Sequence, residues 1–290
     1  MIRCFLFSLA VFVSVSAVSA QATYSRLVVF GDSLCDTGNS YAATGIPPGG
    51  AAGFPYFQGR FCNGPNWIDY LQVDLSLADP QVLNFAVGGS STGFGYQAPP
   101  DGIFQGPPGL LVPTVGVQIQ TYQLLAIPDP DQLTVLWAGS NDLLTMKSPS
   151  SAVSNIEQHI RDLAAMGADE FLVPSMSALG EAPAVEGWLE RLVMNYLSLR
   201  FNYLLNKRLD SLESELSIEV HRLNTFNLTM LGLAIPQLFG FTNTTDAALD
   251  DIAAGEISPA EGASYFYWDV IHPTTLVHSV LAQAASDELD

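Results

Sequence analysis

Basic residues are scarce in this chain. Ten Lys and Arg stand against 29 Asp and Glu, so the formal net charge of the 290 residues is −19. This excess of acid repels other polyanions, which excludes nucleic acid and anionic membrane surfaces as main partners. The composition favours a small neutral substrate, although the acidic side chains could equally serve only to keep the protein soluble.

Long hydrophobic runs are also absent. The apolar run at residues 5–15 is shorter than the roughly 20 residues that span a bilayer, and no later segment is long and uncharged enough to do so. Arg3 precedes this run and small residues ending at Ala20 follow it, an order typical of a secretory signal peptide. We therefore expect cleavage after Ala20 and one domain over residues 21–290, in a secreted, extracellular, monomeric protein without stable membrane association.

Cysteine is the third scarce residue, with three in the chain. Cys4 lies in the predicted signal peptide, and an oxidising compartment favours a disulfide between the remaining pair, Cys35 and Cys62. The alternative is two free buried thiols. Export also makes the Asn-X-Thr triplets at Asn227 and Asn243 candidate glycosylation sites if the host is a eukaryote.

Short apolar runs alternate along the chain with longer segments of helical periodicity, and no internal repeat is present. This alternation is typical of a parallel sheet with helices on both faces. The near-continuous apolar character of most runs indicates strands that are buried on both sides. The pattern predicts an α/β protein, a three-layer α/β/α sandwich whose central, mostly parallel sheet has five strands at residues 27–30, 82–87, 133–137, 170–173 and 218–223.

Helices are predicted from apolar residues at three- and four-residue spacing. They cover residues 117–125, 153–164, 183–216 and 274–289. In the longest of them, the spacing predicts a packing stripe of Val185, Leu189, Leu192, Tyr196, Leu199 and Tyr203. Two segments rich in Gly and Pro, 41–65 and 90–113, are predicted loops over the carboxyl ends of the strands, where doubly wound sheets bind ligands.

The first strand runs directly into Gly31-Asp32-Ser33, which places a serine at the exposed end of a strand. If a helix begins after Ser33, the backbone N–H of this residue can bind an anion, since first-turn amides have no partner within the helix. Alone, the motif is more typical of an ordinary helix cap than of a nucleophile. The assignment therefore depends on what the other strand ends carry.

Two more strands end in groups that can donate hydrogen bonds. The second runs into Gly88 and Gly89, whose backbone can approach a ligand closely, and the third runs into Ser140 and Asn141. Glycine pairs and asparagine are also ordinary turn residues. Candidate donors at three strand ends along one sheet edge, however, favour a site that stabilises a negatively charged oxygen.

Asp269 and His272 stand just before the last predicted helix. A turn can bring the Asp269 carboxylate to one ring nitrogen of His272, which fixes the tautomer and leaves the other nitrogen to face Ser33. The alternative is a capped helix with an incidental histidine. Taken together, the four elements favour a serine hydrolase. No metal or cofactor is predicted, because His159 and His221 stand in no convincing ligand cluster and no Cys-X-X-Cys pair occurs.

These motifs resemble the GDSL, or SGNH, hydrolase superfamily, whose diagnostic residues are a serine, a glycine, an asparagine and a histidine in that order. Residues 31–39, 59–64 and 240–244 are similar to its fungal and plant-type extracellular branch, including the acetylesterases of carbohydrate esterase family sixteen. The resemblance implies the flavodoxin-like fold of the superfamily. The chain departs from the branch at Cys35 and Cys62, and this paired departure implies that the two positions touch, which supports a disulfide.

The resemblance implies a role for each matched position. Ser33 is the nucleophile, and His272 is the base, oriented by Asp269. The oxyanion donors are the backbone N–H of Ser33, the backbone N–H of Gly89 and the side chain of Asn141. An acyl-enzyme on the serine is the expected intermediate.

By resemblance to family sixteen, the expected substrate is an acetyl group on plant-cell-wall carbohydrate. The loop aromatics could then form a wall that faces the sugar, or could pack the loop itself; they are Phe54, Tyr56, Phe57, Phe94 and Tyr96. The alternative is a lipase or phospholipase acting on short- to medium-chain esters, with the same apolar loops holding the acyl chain. A non-catalytic carbohydrate-binding protein is a third alternative, which the complete set of four diagnostic residues disfavours.

Overall fold

The computed structural model describes residues 24–49, 54–100, 109–125 and 129–290. The predicted signal peptide at residues 1–20 lies outside the described residues. A five-stranded parallel sheet forms the centre, with helices packed on both faces, so the predicted α/β sandwich is confirmed. Within the described ranges, no helix has the length and apolar character needed to cross a membrane.

All five predicted strands are present, and four further strands accompany them within the described residues. The strands are β1 (Arg26–Gly31), β2 (Val82–Asn84), β3 (Tyr96–Gln97), β4 (Val112–Pro113), β5 (Gln132–Trp137), β6 (Glu170–Leu172), β7 (Glu219–His221), β8 (Asn243–Ala247) and β9 (Tyr265–Tyr267). The central sheet has the order β2-β1-β5-β6-β7, with every neighbouring pair parallel. The chain turns from β1 to β2 on one side and later reaches β5 on the other. The crevice for a ligand is therefore expected at the carboxyl ends of β1 and β5.

The predicted helices correspond to the third, fifth, sixth and eleventh helices of the structure. The helices are α1 (Asn39–Thr44), α2 (Trp67–Asp74), α3 (Val115–Leu125), α4 (Ser140–Leu144), α5 (Pro149–Ala165), α6 (Trp188–Leu216), α7 (Thr225–Ala234), α8 (Pro236–Phe239), α9 (Ala248–Ala254), α10 (Pro259–Gly262) and α11 (Thr275–Leu289). The start of α5 is fixed by its sequence: Pro149 occupies the first turn, and the Ser148 side chain accepts the N–H of Ser151.

Two apolar cores lie on opposite faces of the sheet, and alternate residues of β1 enter each one. Val28 and Phe30 pack with α3, α5 and α6, whereas Leu27 and Val29 pack with α2 and α11. All four side chains are fully buried. The apolar run of β1 is therefore continuous because the strand is covered on both faces.

The packing face of α6 differs from the prediction. The helix begins at Trp188 rather than at residue 183, so Val185 of the predicted stripe lies before the helix, where it is buried. The other members of the stripe point to solvent: Leu192 is 62% exposed and Tyr196 is 64% exposed. The buried face carries Met194, Ser198, Phe201, Leu205, Leu209 and Leu212. The prediction was wrong because the helix is apolar on two faces, so periodicity alone does not decide which face packs. The fit of Phe201 against Gly139, where a Cβ would lie 2.8 Å from the ring, belongs to the buried face.

The two predicted Gly- and Pro-rich loops hold little regular structure in their described parts, which contain the end of α1 and the short β3–β4 pair. The first loop reaches the segment before α11, where Trp268 Nε1 donates a hydrogen bond to the Pro55 carbonyl (2.9 Å). The second loop is tied to the sheet edge, since Gln118 Nε2 donates both to Ser90 Oγ (3.0 Å) and to the Gly31 carbonyl at the end of β1 (2.8 Å). Both loops therefore adjoin the carboxyl edge of the sheet.

Candidate active site

Ser33 lies in a tight turn at the carboxyl end of β1. The Asp32 carbonyl accepts hydrogen bonds from the N–H groups three and four residues later (3.0 Å each), and its carboxylate accepts one from Leu34 N–H (3.1 Å). The next helix begins only at Asn39, so Ser33 is followed by a turn and not by the start of a helix. Among the described residues, the Ser33 N–H has no acceptor, which leaves it available to a negatively charged oxygen.

Ser33, His272 and Asp269 form a continuous hydrogen-bonded triad. Ser33 Oγ is 2.8 Å from His272 Nε2, and Nδ1 of the same ring is 2.7 Å from Asp269 Oδ2. Through Oδ1, the carboxylate also accepts the N–H of Ile271 (2.9 Å) and of His272 (2.7 Å), which fixes it in the turn before α11. The structure thus brings the three predicted residues together with the geometry for proton transfer from hydroxyl to imidazole.

The Asp269 side chain is 15% exposed, yet its environment favours the ionised form. Burial alone would raise its pKa, but the charge of the neighbouring His272 and the hydrogen bonds from His272 and Ile271 hold the pKa below its usual value. The Tyr56 hydroxyl donates a further hydrogen bond to Asp269 Oδ2 (2.8 Å). Burial and the adjacent Asp269 charge raise the pKa of this phenol, so Tyr56 remains a donor.

The Gly88-Gly89 pair divides its two backbone N–H groups between structure and cavity. Gly88 N–H donates to the Asp36 carboxylate (2.9 Å) and to Ser40 Oγ (2.7 Å), so it is fully engaged. Gly89 lines the cavity beside Ser33, and its N–H has no acceptor among the described residues. Its φ of 79° lies in the left-handed region that favours glycine. This division supports the choice of Gly89 as the donor.

Asn141 sits at the start of α4, directly beyond the carboxyl end of β5. Its side chain is almost fully buried, and Nδ2 donates to the Ser90 carbonyl (2.8 Å). An amide nitrogen carries two hydrogens, so one remains for a ligand in the cavity that Asn141 lines. The next residue, Asp142, accepts the N–H (2.8 Å) and hydroxyl (3.0 Å) of Thr92, which anchors the second loop to the same edge.

Asp36 is a structural residue of the site that the sequence did not indicate. Its carboxylate accepts the N–H of Gly38 (2.8 Å), of Asn39 (2.6 Å) and of Gly88 (2.9 Å), and the N–H (3.1 Å) and hydroxyl (2.5 Å) of Ser40. It therefore joins the turn that carries the serine to the loop that carries the second glycine. Burial raises the pKa of this carboxyl above its usual value, and the hydrogen bonds from the same donors offset only part of that rise.

A cavity of about 90 Å³ begins at these residues. Its polar end consists of Ser33, Gly89, Asn141 and His272. Its apolar end is formed by side chains of α7, α8, β9, α11 and the segments beside them, among them Leu179, Leu228, Phe239, Phe241, Phe266, Ile271, Val277, Val280 and Leu281. A lining of this kind favours an apolar group next to a reactive hydroxyl.

The predicted disulfide is not formed. Cys35 and Cys62 are both buried free thiols. Cys35 packs in the core with Trp67, and the thiol of Cys62 donates to the Gly64 carbonyl (3.0 Å), so each sulfur is held by its own surroundings. Burial raises the pKa of both thiols, that of Cys62 to about 12, which keeps them protonated.

The loop aromatics are not among the described residues that line the cavity. Tyr56 turns inward to the triad, and Phe94 packs against the ring of His159 at 4.8 Å between centroids. Phe54 stacks edge-on against Trp268 while remaining 47% exposed. These three aromatics therefore contact elements outside their own loops rather than the cavity.

The remaining histidines lie outside the triad. His278 is buried in α11 and is neutral. Burial is the main cause that lowers its pKa to about 3, and the charge of the nearby His272 adds to it. His221 is not isolated, since its Nε2 is 2.9 Å from Glu170 and 3.9 Å from Glu219. The sequence did not indicate this cluster because its members come from two neighbouring strands.

The two predicted glycosylation positions differ in accessibility. Asn227 is exposed on α7. Asn243 begins β8 and is half-buried, and its side chain accepts the N–H of Thr245 (2.9 Å) and of Asp246 (3.0 Å). Modification of either residue stays a prediction, with Asn227 the more accessible of the two.

Known proteins resemble this chain in sequence and in fold. Residues 27–285 match the family model described as GDSL-like Lipase/Acylhydrolase. A phosphatidylcholine-sterol acyltransferase of Aeromonas hydrophila is 25% identical over 94% of this chain and 92% of its own length. A GDSL esterase/lipase of Arabidopsis thaliana is 27% identical over 90% of this chain and 88% of its own length.

A solved structure shows the same fold. A member of the lipolytic protein G-D-S-L family from Veillonella parvula has a TM-score of 0.50 and 14% identity, with 90% of this chain and 96% of that chain covered. Because the family model spans most of the chain, the family does not rest on fold alone. This protein belongs to the GDSL-like lipase/acylhydrolase family and is a carboxylic ester hydrolase.

Proposed function

We propose that this protein hydrolyses lipid esters of medium- or long-chain fatty acids through an acyl-enzyme on Ser33. The apolar cavity that begins at the Ser33 hydroxyl carries this proposal. An acetyl group has one methyl to bury, so it uses almost none of that surface. A fatty acyl chain fills it and gains about 0.8 kcal/mol per buried methylene.

In the first half of the reaction, His272 Nε2 removes the proton of Ser33 as Oγ attacks the ester carbonyl carbon. The carbonyl π electrons move to oxygen and give a tetrahedral oxyanion. Asp269 holds the ring through Nδ1 and stabilises the imidazolium that forms. When the intermediate collapses, the alkoxide leaves with the proton from Nε2, and the acyl group stays on Ser33.

Three donors surround the position of the oxyanion in this proposal. They are the backbone N–H of Ser33, the backbone N–H of Gly89 and the second hydrogen of Asn141 Nδ2. The first two have no other acceptor within the described residues, and the third lies on a side chain fixed through Ser90. Preorganised donors of this kind lower the barrier because they need no rearrangement when charge develops.

In the second half, water enters where the alcohol left. His272 accepts a proton from the water as its oxygen attacks the acyl carbon, and the same donors stabilise the second oxyanion. The serine oxygen then leaves with that proton, and the fatty acid is released. An alcohol in place of the water would transfer the acyl group instead of hydrolysing it.

The relatives support a lipid substrate. The Aeromonas hydrophila protein, similar over nearly its whole length, is by name an acyltransferase that uses phosphatidylcholine and sterol. The acetyl-carbohydrate alternative has less support, because the loop aromatics that would face a sugar are absent from the described lining of the cavity. Export by the leader at residues 1–20, and an extracellular location, are part of this proposal.

The test is a series of p-nitrophenyl esters from acetate to dodecanoate, with acetylated xylo-oligosaccharides in parallel. Purified protein should show kcat/KM rising by up to about fourfold per methylene while the chain still enters the cavity. The Ser33→Ala variant should be folded and inactive on every ester, which controls for contaminating esterases. Highest kcat/KM on acetate, with acetyl-xylan hydrolysis, would overturn the lipid assignment. Turnover by Ser33→Ala equal to that of the parent would overturn the nucleophile.

A further inference from the structure

The outward face of α6 is apolar over its first half. Five large side chains form this outer stripe at helical spacing, and each is at least 51% exposed: Trp188, Leu192, Tyr196, Leu199 and Tyr203. A row of this length is unusual on a protein with so much surface charge, because soluble proteins rarely leave contiguous apolar area uncovered without a partner. The buried face of the same helix is opposite, so the stripe contributes nothing to the core.

The outer stripe is confined to the half of α6 nearest the active site. Because α6 crosses from the carboxyl end of β6 to the amino end of β7, it begins at the sheet edge that carries Ser33. Just before the helix, Ala184 N–H donates to the Val270 carbonyl (2.8 Å), two residues before His272. The far half of α6 exposes charged residues instead, including Asp210.

Positive charge accompanies the outer stripe. Four of the ten basic residues of the chain lie in residues 188–208, against the single acid Glu190. Arg208 is paired with Glu157 (3.2 Å), so Arg200 and Lys207 are the basic residues that flank the stripe. Arg200 and Lys207 both contact the ring of Tyr203, with the charged atoms 5.6 Å and 4.8 Å from its centre. In a chain of net charge −19, this is a local reversal of sign.

We propose that the outer stripe docks the enzyme on a zwitterionic phospholipid surface. Trp and Tyr favour the boundary between headgroups and acyl chains, and the Leu side chains enter the acyl region beside them. Arg200 and Lys207 complement the lipid phosphates, while the acidity of the remaining surface disfavours anionic bilayers. Docking of this kind is reversible and peripheral, and it brings the sheet edge that carries Ser33 to the substrate. It rests on the proposed lipid-esterase function.

The four tryptophans make binding directly measurable. Trp188 is 78% exposed, whereas Trp67, Trp137 and Trp268 are at most 4% exposed. Acrylamide quenching and wavelength shifts therefore report on Trp188. With phosphatidylcholine vesicles and the non-hydrolysing Ser33→Ala background, we expect the emission to move to shorter wavelength and the quenching constant to fall at least about twofold.

The key variant replaces Leu192, Tyr196 and Leu199 by Ser in the same background. We expect its partitioning onto phosphatidylcholine vesicles, measured by flotation, to fall at least about tenfold. The control is Leu124→Ser with Leu125→Ser, a still more exposed pair at the end of α3, the helix that leads to the amino end of β5. Every variant carries the same apolar N-terminal residues, so a difference in vesicle binding between the variants is due to the outer stripe.

A second measurement separates docking from chemistry. With Ser33 restored, the triple variant should hydrolyse monomeric p-nitrophenyl butyrate within twofold of the parent but lose at least about tenfold of its rate on vesicle phospholipid. Equal vesicle binding by parent and triple variant would overturn the docking surface while leaving the lipid-esterase proposal intact. Vesicle binding without hydrolysis of any lipid would leave the surface intact and overturn the proposed function.

The competing occupant is a second copy of the chain. Light scattering after size exclusion should show a monomer for both parent and triple variant at micromolar concentration. A parent dimer that the three Ser substitutions convert to monomer would overturn the lipid assignment and give the outer stripe to self-association.

Discussion

The polar and apolar ends of the cavity differ in how tightly they are determined. At the polar end, Ser33, His272 and Asp269 are joined by hydrogen bonds of 2.7 to 2.8 Å, and further hydrogen bonds fix the Asp269 carboxylate. At the apolar end, side chains of α7, β9 and α11 enclose space without directional contacts. Hydrogen bonds demand particular residue types, whereas apolar contact demands only volume. The polar end should therefore control rate, and the apolar end should control which ester is chosen.

Replacing Asp269 by Asn should break the polar end most severely among substitutions that leave Ser33 and His272 in place. The amide can still accept the two backbone N–H bonds, but it holds the imidazole in the wrong tautomer. We expect kcat to fall by about 10⁴ on all chain lengths alike. Steady-state kinetics on butyrate and decanoate esters would measure this. A loss that differed tenfold between the two esters would contradict the separation of rate from choice.

Asn141→Ala removes one oxyanion donor and should lower kcat by roughly 10²–10³. The loss should again be the same for short and long acyl chains, because the carbonyl oxygen is common to both. Since the substitution also deletes the bond to Ser90, the melting temperature should be measured in parallel. A decrease in kcat below about threefold in a folded variant would remove Asn141 from the oxyanion site.

Val280→Phe places extra volume at the apolar end, on the second turn of α11. We expect the ratio of kcat/KM for decanoate over butyrate to fall at least about tenfold, since a blocked methylene pocket costs about 1–3 kcal/mol. The butyrate rate should change little. Val73→Phe, at a position on α2 that is 73% exposed, is the control for added bulk. An unchanged ratio would show that the acyl chain lies elsewhere.

Tyr56→Phe should have the smallest effect, because it removes one outer hydrogen bond and leaves the triad complete. A single hydrogen bond to a charged carboxylate is worth about 1.5 kcal/mol at the low end, so we expect kcat to fall by at most roughly tenfold. Tyr96→Phe, on an exposed loop tyrosine, provides the matched control. A kcat for Tyr56→Phe that equals those of the parent and of Tyr96→Phe would disprove the support of Asp269 by Tyr56.

The contrast between the two ends also explains what the sequence could predict. Ser33, Gly89, Asn141 and His272 each follow a strand or precede a helix, so their types and positions indicate both chemistry and location. The sheet was predictable for the same reason, because strands such as β1 are apolar on both faces. These signals are local in the sequence.

The missed features all depend on contacts between distant segments. Tyr56 and Asp269 are 213 residues apart, and no local pattern links them. The face of α6 was wrong because the helix offers two apolar faces, and only the surface of the sheet selects one of them. The disulfide was wrong because compartment chemistry says nothing about where Cys35 and Cys62 point.

Asp36 holds the reacting groups in place separately from the walls of the cavity. One carboxylate holds both the turn of the nucleophile and the glycine loop, so the positions of the reacting groups depend on a few residues near β1 and β2. The walls formed by α7 and α11 lie outside that fastening. Substitutions in those two helices should therefore alter which esters are accepted while the geometry of the reacting groups is kept.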